Sequence, residues 1–200
     1  MDSAHSCRCM SAMTDNPAEV VSTLDGQLDH EVSLVVFGRG ALCLGYSNPP
    51  QEYFTTQDVD GIIRMSQLES LVNDERFWDA VDQTNMLLEP KGLYITHLFQ
   101  ADQVFLRPDW ENFIQPVMRP PTRYLKLFRP HTIDLILTKM MRGNDPQDML
   151  DVEFLIRHDG ITSAQMEPAF RDVCMPDIQE LRDAFERALP VVRKLLASRV

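Results

Sequence analysis

The sequence has few cysteines and no long apolar run, and each of these absences excludes a class of protein. Its four cysteines are scattered along 200 residues, which does not suggest a disulfide framework. No apolar run approaches the roughly 20 residues that a membrane span needs. The N-terminus carries no continuous apolar segment of the secretory type. We therefore expect a cytoplasmic protein with no membrane association.

Basic residues are also scarce. Lysine and arginine number 19 against 30 aspartates and glutamates, so the formal net charge is −11. A general nucleic-acid binder needs a basic face that displaces counterions, so this charge does not support nucleic-acid binding. A nucleotide substrate remains compatible with it, because metal ions can neutralise phosphates. With 44% apolar residues, the chain is large enough to form one good core.

Hydrophobic patterns divide the chain into three parts. Residues 1–14 are predicted as a flexible leader, residues 15–130 as an α/β core, and residues 131–200 as a helical part packed on that core. The predicted fold class is therefore α+β, with a mixed sheet, helices and a helical C-terminal half. The predicted strands are 32–37, 59–63, 93–99, 104–106 and 125–128. A first helix is predicted to start at the N-cap Asn16, and a second at 66–89 with a break near 73–74. Four more helices are predicted at 131–142, 146–158, 163–173 and 177–197.

The stretch from residue 37 to residue 60 points to chemistry. A buried-type strand runs into the turn Gly38-Arg39-Gly40, which opens a short apolar helix, and a later strand carries Asp58 and Asp60. Alternate side chains of a strand share a face, so the two carboxylates repel each other unless a cation lies between them. Aspartates suit Mg²⁺, and a glycine turn at a helix N-terminus can bind phosphate. The alternative is a solvated strand face next to an ordinary turn.

The order of these motifs resembles the nucleotidyltransferase superfamily, which has the DNA polymerase beta type fold, and especially its small bacterial members, which include abortive-infection toxins. Their hallmark is an apolar residue, Gly-Gly or Gly-Ser, a helix, and then Asp-apolar-Asp. Gly38, Asp58 and Asp60 match it, whereas Arg39 stands where the family has a second small residue. The resemblance implies Mg²⁺ or Mn²⁺ held by Asp58 and Asp60, a nucleoside triphosphate cradled by the turn from Gly38 to Gly40, and an unknown hydroxyl acceptor.

The same resemblance implies a third catalytic carboxylate on a later strand. Asp102 is the nearest candidate, with an ordinary turn role as the alternative. Arg39 is expected either to hold phosphate or to fill the space over Gly38 and pair with Asp58 or Asp60.

A second cluster resembles a helix pair of the bacterial branch, which carries a lysine, an arginine near the helix end, and Asp-x-x-Asp on the next helix. Lys139, Arg142, Asp148 and Asp151 fit this pattern, which implies nucleotide binding, with Lys139 on phosphate. The residues themselves leave an alternative open. Asp148 also fits a helix start, and the two basic residues are placed to pair with the two aspartates across the turn.

Two functions follow from these patterns. The first is transfer of a nucleoside monophosphate from a nucleoside triphosphate to a hydroxyl acceptor. The second is a catalytically degenerate fold that serves as a binding or regulatory partner of another protein, possibly in a toxin–antitoxin system. Arg39 and the lack of a clear third carboxylate favour the second function.

Overall fold

The computed structural model describes residues 14–198, which form a five-stranded mixed sheet surrounded by helices. The predicted leader lies outside the described residues, apart from its last residue. The strands are β1 Val32–Phe37, β2 Asp58–Ile63, β3 Tyr94–Gln100, β4 Gln115–Pro116 and β5 Leu125–Arg129. They lie in the order β3-β2-β1-β5-β4. β1 pairs antiparallel with β2 and β4 pairs antiparallel with β5, whereas the pairs β1–β5 and β2–β3 are parallel.

The helices match the predicted segments closely and confirm the α+β class. Four α-helices precede β3 and four follow β5. Within residues 14–198, none of them has the length and apolar character needed to cross a membrane. Their bounds are α1 Asn16–Gln27, α2 Gly38–Gly45, α3 Leu68–Val72, α4 Glu75–Leu88, α5 Thr132–Lys139, α6 Pro146–Asp159, α7 Ser163–Asp172 and α8 Gln179–Ala197.

Side-chain caps explain where several helices begin. Asp145 accepts hydrogen bonds from the backbone N–H groups of Gln147 and Asp148, both at 3.0 Å, so α6 starts where the sequence predicts. The predicted cap of α1 is wrong by one residue. Asp15, and not Asn16, caps that helix through the N–H of Ala18. Both residue types are good caps, so the sequence alone does not separate them.

The predicted strand 104–106, which the sequence joins to strand 93–99 by a tight turn, is wrong. β3 pairs parallel with β2, and a short 3₁₀ turn at Ala101–Gln103 carries the chain away from the sheet. Leu106 instead forms an isolated bridge with Cys174 near the C-terminal helices. The strand β4 was not predicted, because two residues are too few to show the hydrophobic alternation of a strand.

The sheet topology and one central helix define the position of the site. Because β1 and β2 are antiparallel, Phe37 at the end of β1 lies beside Asp60 near the start of β2. α5 is buried along its whole length, from Thr132 to Lys139, and it contacts both α2 and α6. Lys139 at the end of this central helix therefore lines the same cavity as the carboxylates of β2.

Candidate active site

A cavity of 510 Å³ opens where the sheet, the start of α2 and the turn between α5 and α6 meet. It brings together residues from both halves of the chain, and most of the predicted site residues line it. Gly38 and Arg39 come from the start of α2, and Asp58 and Asp60 from β2. The opposite wall contains Lys139, Arg142 and Asp148.

The turn at Gly38 has the backbone conformation that only glycine adopts readily, with φ at 64°. A Cβ at this position would lie 3.6 Å from the Oδ2 atom of Asp60, so the turn passes directly beside that carboxylate. Gly40 does not line the cavity. A Cβ added at Gly40 would lie 3.5 Å from the side chain of Val59, which is ordinary contact, so the packing of α2 on β2 does not require glycine there.

The two aspartates of β2 accept hydrogen bonds from threonine hydroxyl groups. Thr56 donates to Oδ1 of Asp58 at 3.1 Å, and Thr96 donates to Oδ1 of Asp60 at 2.7 Å. Across residues 14–198, no lysine or arginine forms an ion pair with either aspartate. Burial raises the pKa of Asp60, and the neighbouring charge of Asp58 raises it further against the hydrogen bond from Thr96. The pair therefore carries a repulsion that a bound cation would remove.

An irregularity in the sheet directs two residues of β3 at Asp60. The register between β2 and β3 shifts between Val59 and Gly61, so Thr96 and His97 together stand opposite Asp60. The Nδ1 atom of His97 lies 3.6 Å from Oδ1 of Asp60. No local pattern in the sequence marks Thr96, because its role depends on the bulge.

The structure does not bring Asp102, the candidate third carboxylate, to Asp58 and Asp60, and it places Asp102 in a 3₁₀ turn. Asp102 follows β3 at the end where Gln100 pairs with Ile63, whereas Asp58 is at the opposite end of β2. Thr96 and His97 occupy the part of β3 that faces the aspartates. In the part of the chain that the structure describes, no group of three or more His, Cys, Asp or Glu side chains could hold a metal ion.

The second cluster, which consists of Lys139, Arg142, Asp148 and Asp151, forms an ionic network in which every charged group has a partner of opposite charge. The Nζ atom of Lys139 lies 2.9 Å from Asp148 and 2.6 Å from Asp151, and Nε of Arg142 lies 2.6 Å from Asp148. Burial disfavours the Asp148 carboxylate, but the hydrogen bonds from Arg142 and Lys139 hold its pKa below the usual value. The pairing across the turn, which the sequence left open, is therefore present.

Arg39 belongs to this network and not to the aspartates of β2. Its Nε and Nη2 atoms donate to the two carboxylate oxygens of Asp151 at 3.2 and 3.0 Å, and the guanidinium lies over the ring of Tyr53. The alternative in which Arg39 pairs with Asp58 or Asp60 is not present, because Asp151 accepts from two nitrogens of the guanidinium. Its side chain still lines the cavity and is 20% exposed.

The two sides of the cavity differ in charge balance. Arg39, Lys139 and Arg142 carry three positive charges against the three negative charges of Asp145, Asp148 and Asp151, so this side is balanced within the protein. The side chain of Arg142 is 64% exposed and is the most accessible of these cations. The wall formed by β2 carries two uncompensated carboxylates. A polyphosphate bound with a divalent cation would complement both walls.

The family described as nucleotidyltransferase of unknown function (DUF6036) matches residues 14–167. This range includes the glycine turn, the aspartates of β2 and the ionic network of α5 and α6. Searches of curated proteins and of solved structures give no match. The mixed sheet with its helices agrees with the fold that the family implies. The match covers most of the chain, and the protein therefore belongs to this family of nucleotidyltransferases of unknown function.

Proposed function

We propose that the protein transfers a nucleoside monophosphate from a nucleoside triphosphate to a hydroxyl acceptor, and that the reaction depends on Mg²⁺ or Mn²⁺. The observation that carries this proposal is the pair Asp58 and Asp60, which no lysine or arginine of residues 14–198 neutralises, in one cavity with the positive-φ turn at Gly38 and the exposed side chain of Arg142. Such a placement serves a ligand that brings both a cation and phosphates.

The donor set fits a divalent cation that is shared with the substrate. Asp58 and Asp60 would hold it, and both project oxygen ligands of the type that Mg²⁺ prefers. Two carboxylates are too few for an all-protein site, but Mg²⁺ commonly takes its remaining ligands from water and substrate phosphates. The ion would neutralise phosphate charge and activate the attacking oxygen. The raised pKa of Asp60, due to burial and to Asp58, agrees with this role.

The remaining residues divide into phosphate contacts and supports. The backbone N–H groups at the start of α2, together with Arg142, contact the β- and γ-phosphates in this proposal. Lys139 is a support, because both of its carboxylate partners are within hydrogen-bonding distance and its side chain is buried. Arg39 is a support as well, because Asp151 and the side-chain amide oxygen of Gln147 accept hydrogen bonds from its guanidinium.

The chemical step is a single displacement at phosphorus. The acceptor hydroxyl oxygen bonds to the α-phosphorus, the bond from that phosphorus to the bridging oxygen breaks, and pyrophosphate leaves with the bonding electron pair. The hydroxyl proton passes to water at the open mouth of the cavity. Positioning and charge neutralisation supply most of the catalysis in such reactions, so the fixed walls described above are the main contribution of the protein.

A thermal-shift experiment tests the proposal. Mg²⁺ with one of the four nucleoside triphosphates should raise the melting temperature, because a ligand that binds only the folded state stabilises it. Asp58→Asn and Asp60→Asn should abolish the shift. The matched control is Asp102→Asn, which removes an exposed carboxylate outside the cavity and should leave the shift intact. No shift with any triphosphate at millimolar concentration would contradict the proposal.

A second function is supported by the residues that face Asp60. Thr96 and His97 stand where the fold resemblance implies a third carboxylate, which favours a catalytically degenerate member that binds a nucleotide and a partner protein, as in a toxin–antitoxin pair. Pyrophosphate release distinguishes the two functions. A protein that shows the thermal shift but releases no pyrophosphate with any class of hydroxyl acceptor would support the degenerate function.

A further inference from the structure

One edge of the cavity is aromatic, and the proposed phosphate chemistry does not use it. The ring of His97 stacks on Phe99, with centroids 5.3 Å apart and an interplanar angle of 25°, and Phe99 meets Phe37 edge to face at 5.6 Å. All three side chains line the cavity. The side chain of His97 is 67% exposed, so one face of its ring is covered by Phe99 and the other is open to a ligand.

The sheet order fixes where this edge lies relative to the charges. β3 is the outermost strand on its side, β2 is next, and β1 with the start of α2 follows. A path across the cavity therefore meets the ring of His97 first, then Asp58 and Asp60, and then the Gly38 turn with the network that begins at Arg39. The carboxylates of β2 therefore lie between the ring of His97 on β3 and the Gly38 turn after β1.

Displacement at phosphorus places the attacking and the leaving oxygens roughly in line on opposite sides of the phosphorus. If the α-phosphorus is at the aspartates and pyrophosphate leaves towards the cations, the attacking hydroxyl enters from β3. This inference rests on the proposed function. We propose that β3 forms the acceptor subsite and that the acceptor hydroxyl is attached to a group with a planar aromatic ring, which stacks on His97.

The chemistry of this edge favours a nucleoside as the acceptor class. Every nucleobase has a flat face that stacks on an aromatic side chain without sequence preference, and its ribose presents hydroxyl groups next to the ring. The net charge of −11 disfavours a long polyanion, so recognition through one ring fits this surface better than recognition of an extended strand. In the reaction, a ribose hydroxyl oxygen bonds to the α-phosphorus, pyrophosphate leaves, and the hydroxyl proton passes to water.

Protein-observed NMR tests the subsite. Adenosine and cytidine are titrated into the full chain while the imidazole signals of His97 are followed, and methyl riboside serves as the probe that has the hydroxyls without the base. His97→Ala removes the ring, His97→Phe keeps a stacking surface, and His30→Ala is the matched control, because His30 pairs with Asp29 and Asp74 away from the cavity. Thermal shifts with Mg²⁺ and a triphosphate are recorded for each variant.

Nucleosides are expected to move the His97 signals, whereas methyl riboside leaves them unchanged. His97→Ala should weaken nucleoside binding by about tenfold, the size expected for one lost stacking contact, and should leave the thermal shift with the triphosphate unchanged. His97→Phe should retain nucleoside binding, and His30→Ala should resemble the wild type in both assays.

Three results would overturn the proposal. Equal binding of methyl riboside, or nucleoside binding that survives His97→Ala, would remove the ring from acceptor recognition. Loss of the triphosphate shift in His97→Ala would assign the ring to the donor nucleotide. The wild type could also show no triphosphate shift and still bind nucleosides at His97. That result would contradict the proposed function and the acceptor role together, and it would leave His97 as a nucleoside-binding site only.

Discussion

Two pairs of aspartates stand on either side of one cavity, and their surroundings differ. Asp148 and Asp151, on α6, are buried and meet the side chains of Lys139, Arg142 and Arg39. Asp58 and Asp60, on β2, receive hydrogen bonds from two threonine hydroxyls and lie beside each other. The first pair has its charge balanced within the protein, and the second does not.

This difference separates carboxylates that stabilise the fold from carboxylates that are available to a ligand. A buried carboxylate with all of its partners in place holds the structure together, and removing a partner leaves an uncompensated charge. A partly exposed carboxylate pair without a cation is costly to the fold and is explained best by a ligand. The sequence presents both pairs as equal candidates, and only their partners distinguish them.

We expect the largest effect on stability from Asp151→Ala, which tests whether the two pairs of aspartates have different structural roles. The side chain of Asp151 is 1% exposed and satisfies both Lys139 and Arg39, so its removal leaves a buried lysine with one partner. We expect the free energy of unfolding to fall by roughly 3 kcal/mol or more, measured by urea denaturation.

Asp58→Asn is the matched control for this change, because it also removes one carboxylate that lines or adjoins the cavity. Its stability in the absence of ligands should stay within about 0.5 kcal/mol of the wild type, since no basic side chain depends on it. A similar loss in both variants would show that the two pairs have the same structural role.

A smaller effect concerns acid sensitivity. Lys139 and Arg142 hold the pKa of folded Asp148 below its unfolded value of about 3.9, despite its burial. Its contribution to stability is therefore present above that value and is lost as pH falls through the lowered pKa. Asp148→Asn should be less stable than the wild type at pH 7, and the difference should shrink below about pH 4. Denaturation curves from pH 7 to pH 2 measure this, and a constant difference would contradict the assignment.

The smallest expected effect on stability concerns the glycine turn beside Asp60. Gly38→Ala places a side chain at a φ of 64° and should cost about 1 kcal/mol. Gly40→Ala is the matched control two residues on, in the first turn of α2, where an added Cβ would make ordinary contact with Val59. This change should be neutral or stabilise by about 0.5 kcal/mol. Thermal unfolding of both variants measures the difference, and equal losses would rule out backbone strain as the cause.

Local signals in the sequence predict most of the fold. The break between α3 and α4 falls at Asn73 and Asp74, where turn-forming residues interrupt the apolar pattern, and the cap at Asp145 starts α6 where it was expected. β1 follows from a continuous run of β-branched and apolar residues. The glycine turn and the aspartates of β2 are near each other in the sequence, so their common location is also predictable.

Contacts between distant residues account for what the sequence does not predict. Residues 93–106 have a turn signal that favours a hairpin, but β3 gains more by pairing with the buried strand β2. The bulge that aims Thr96 and His97 at Asp60 exists only in that pairing. Arg39 and Asp151 are 112 residues apart, and no local pattern at either residue identifies the other.

The separation between Arg39 and Asp151 has a consequence for biosynthesis. A ribosome releases the aspartates of β2 and the glycine turn early, but the lysine, the second arginine and the aspartates of the ionic network emerge much later. β1 likewise receives its second neighbour only when β5 has been made. A nascent chain that ends before α5 would therefore carry the carboxylates of β2 and Arg39, but neither Lys139 nor Arg142. The cavity is thus complete only late in translation, after Asp148 has emerged.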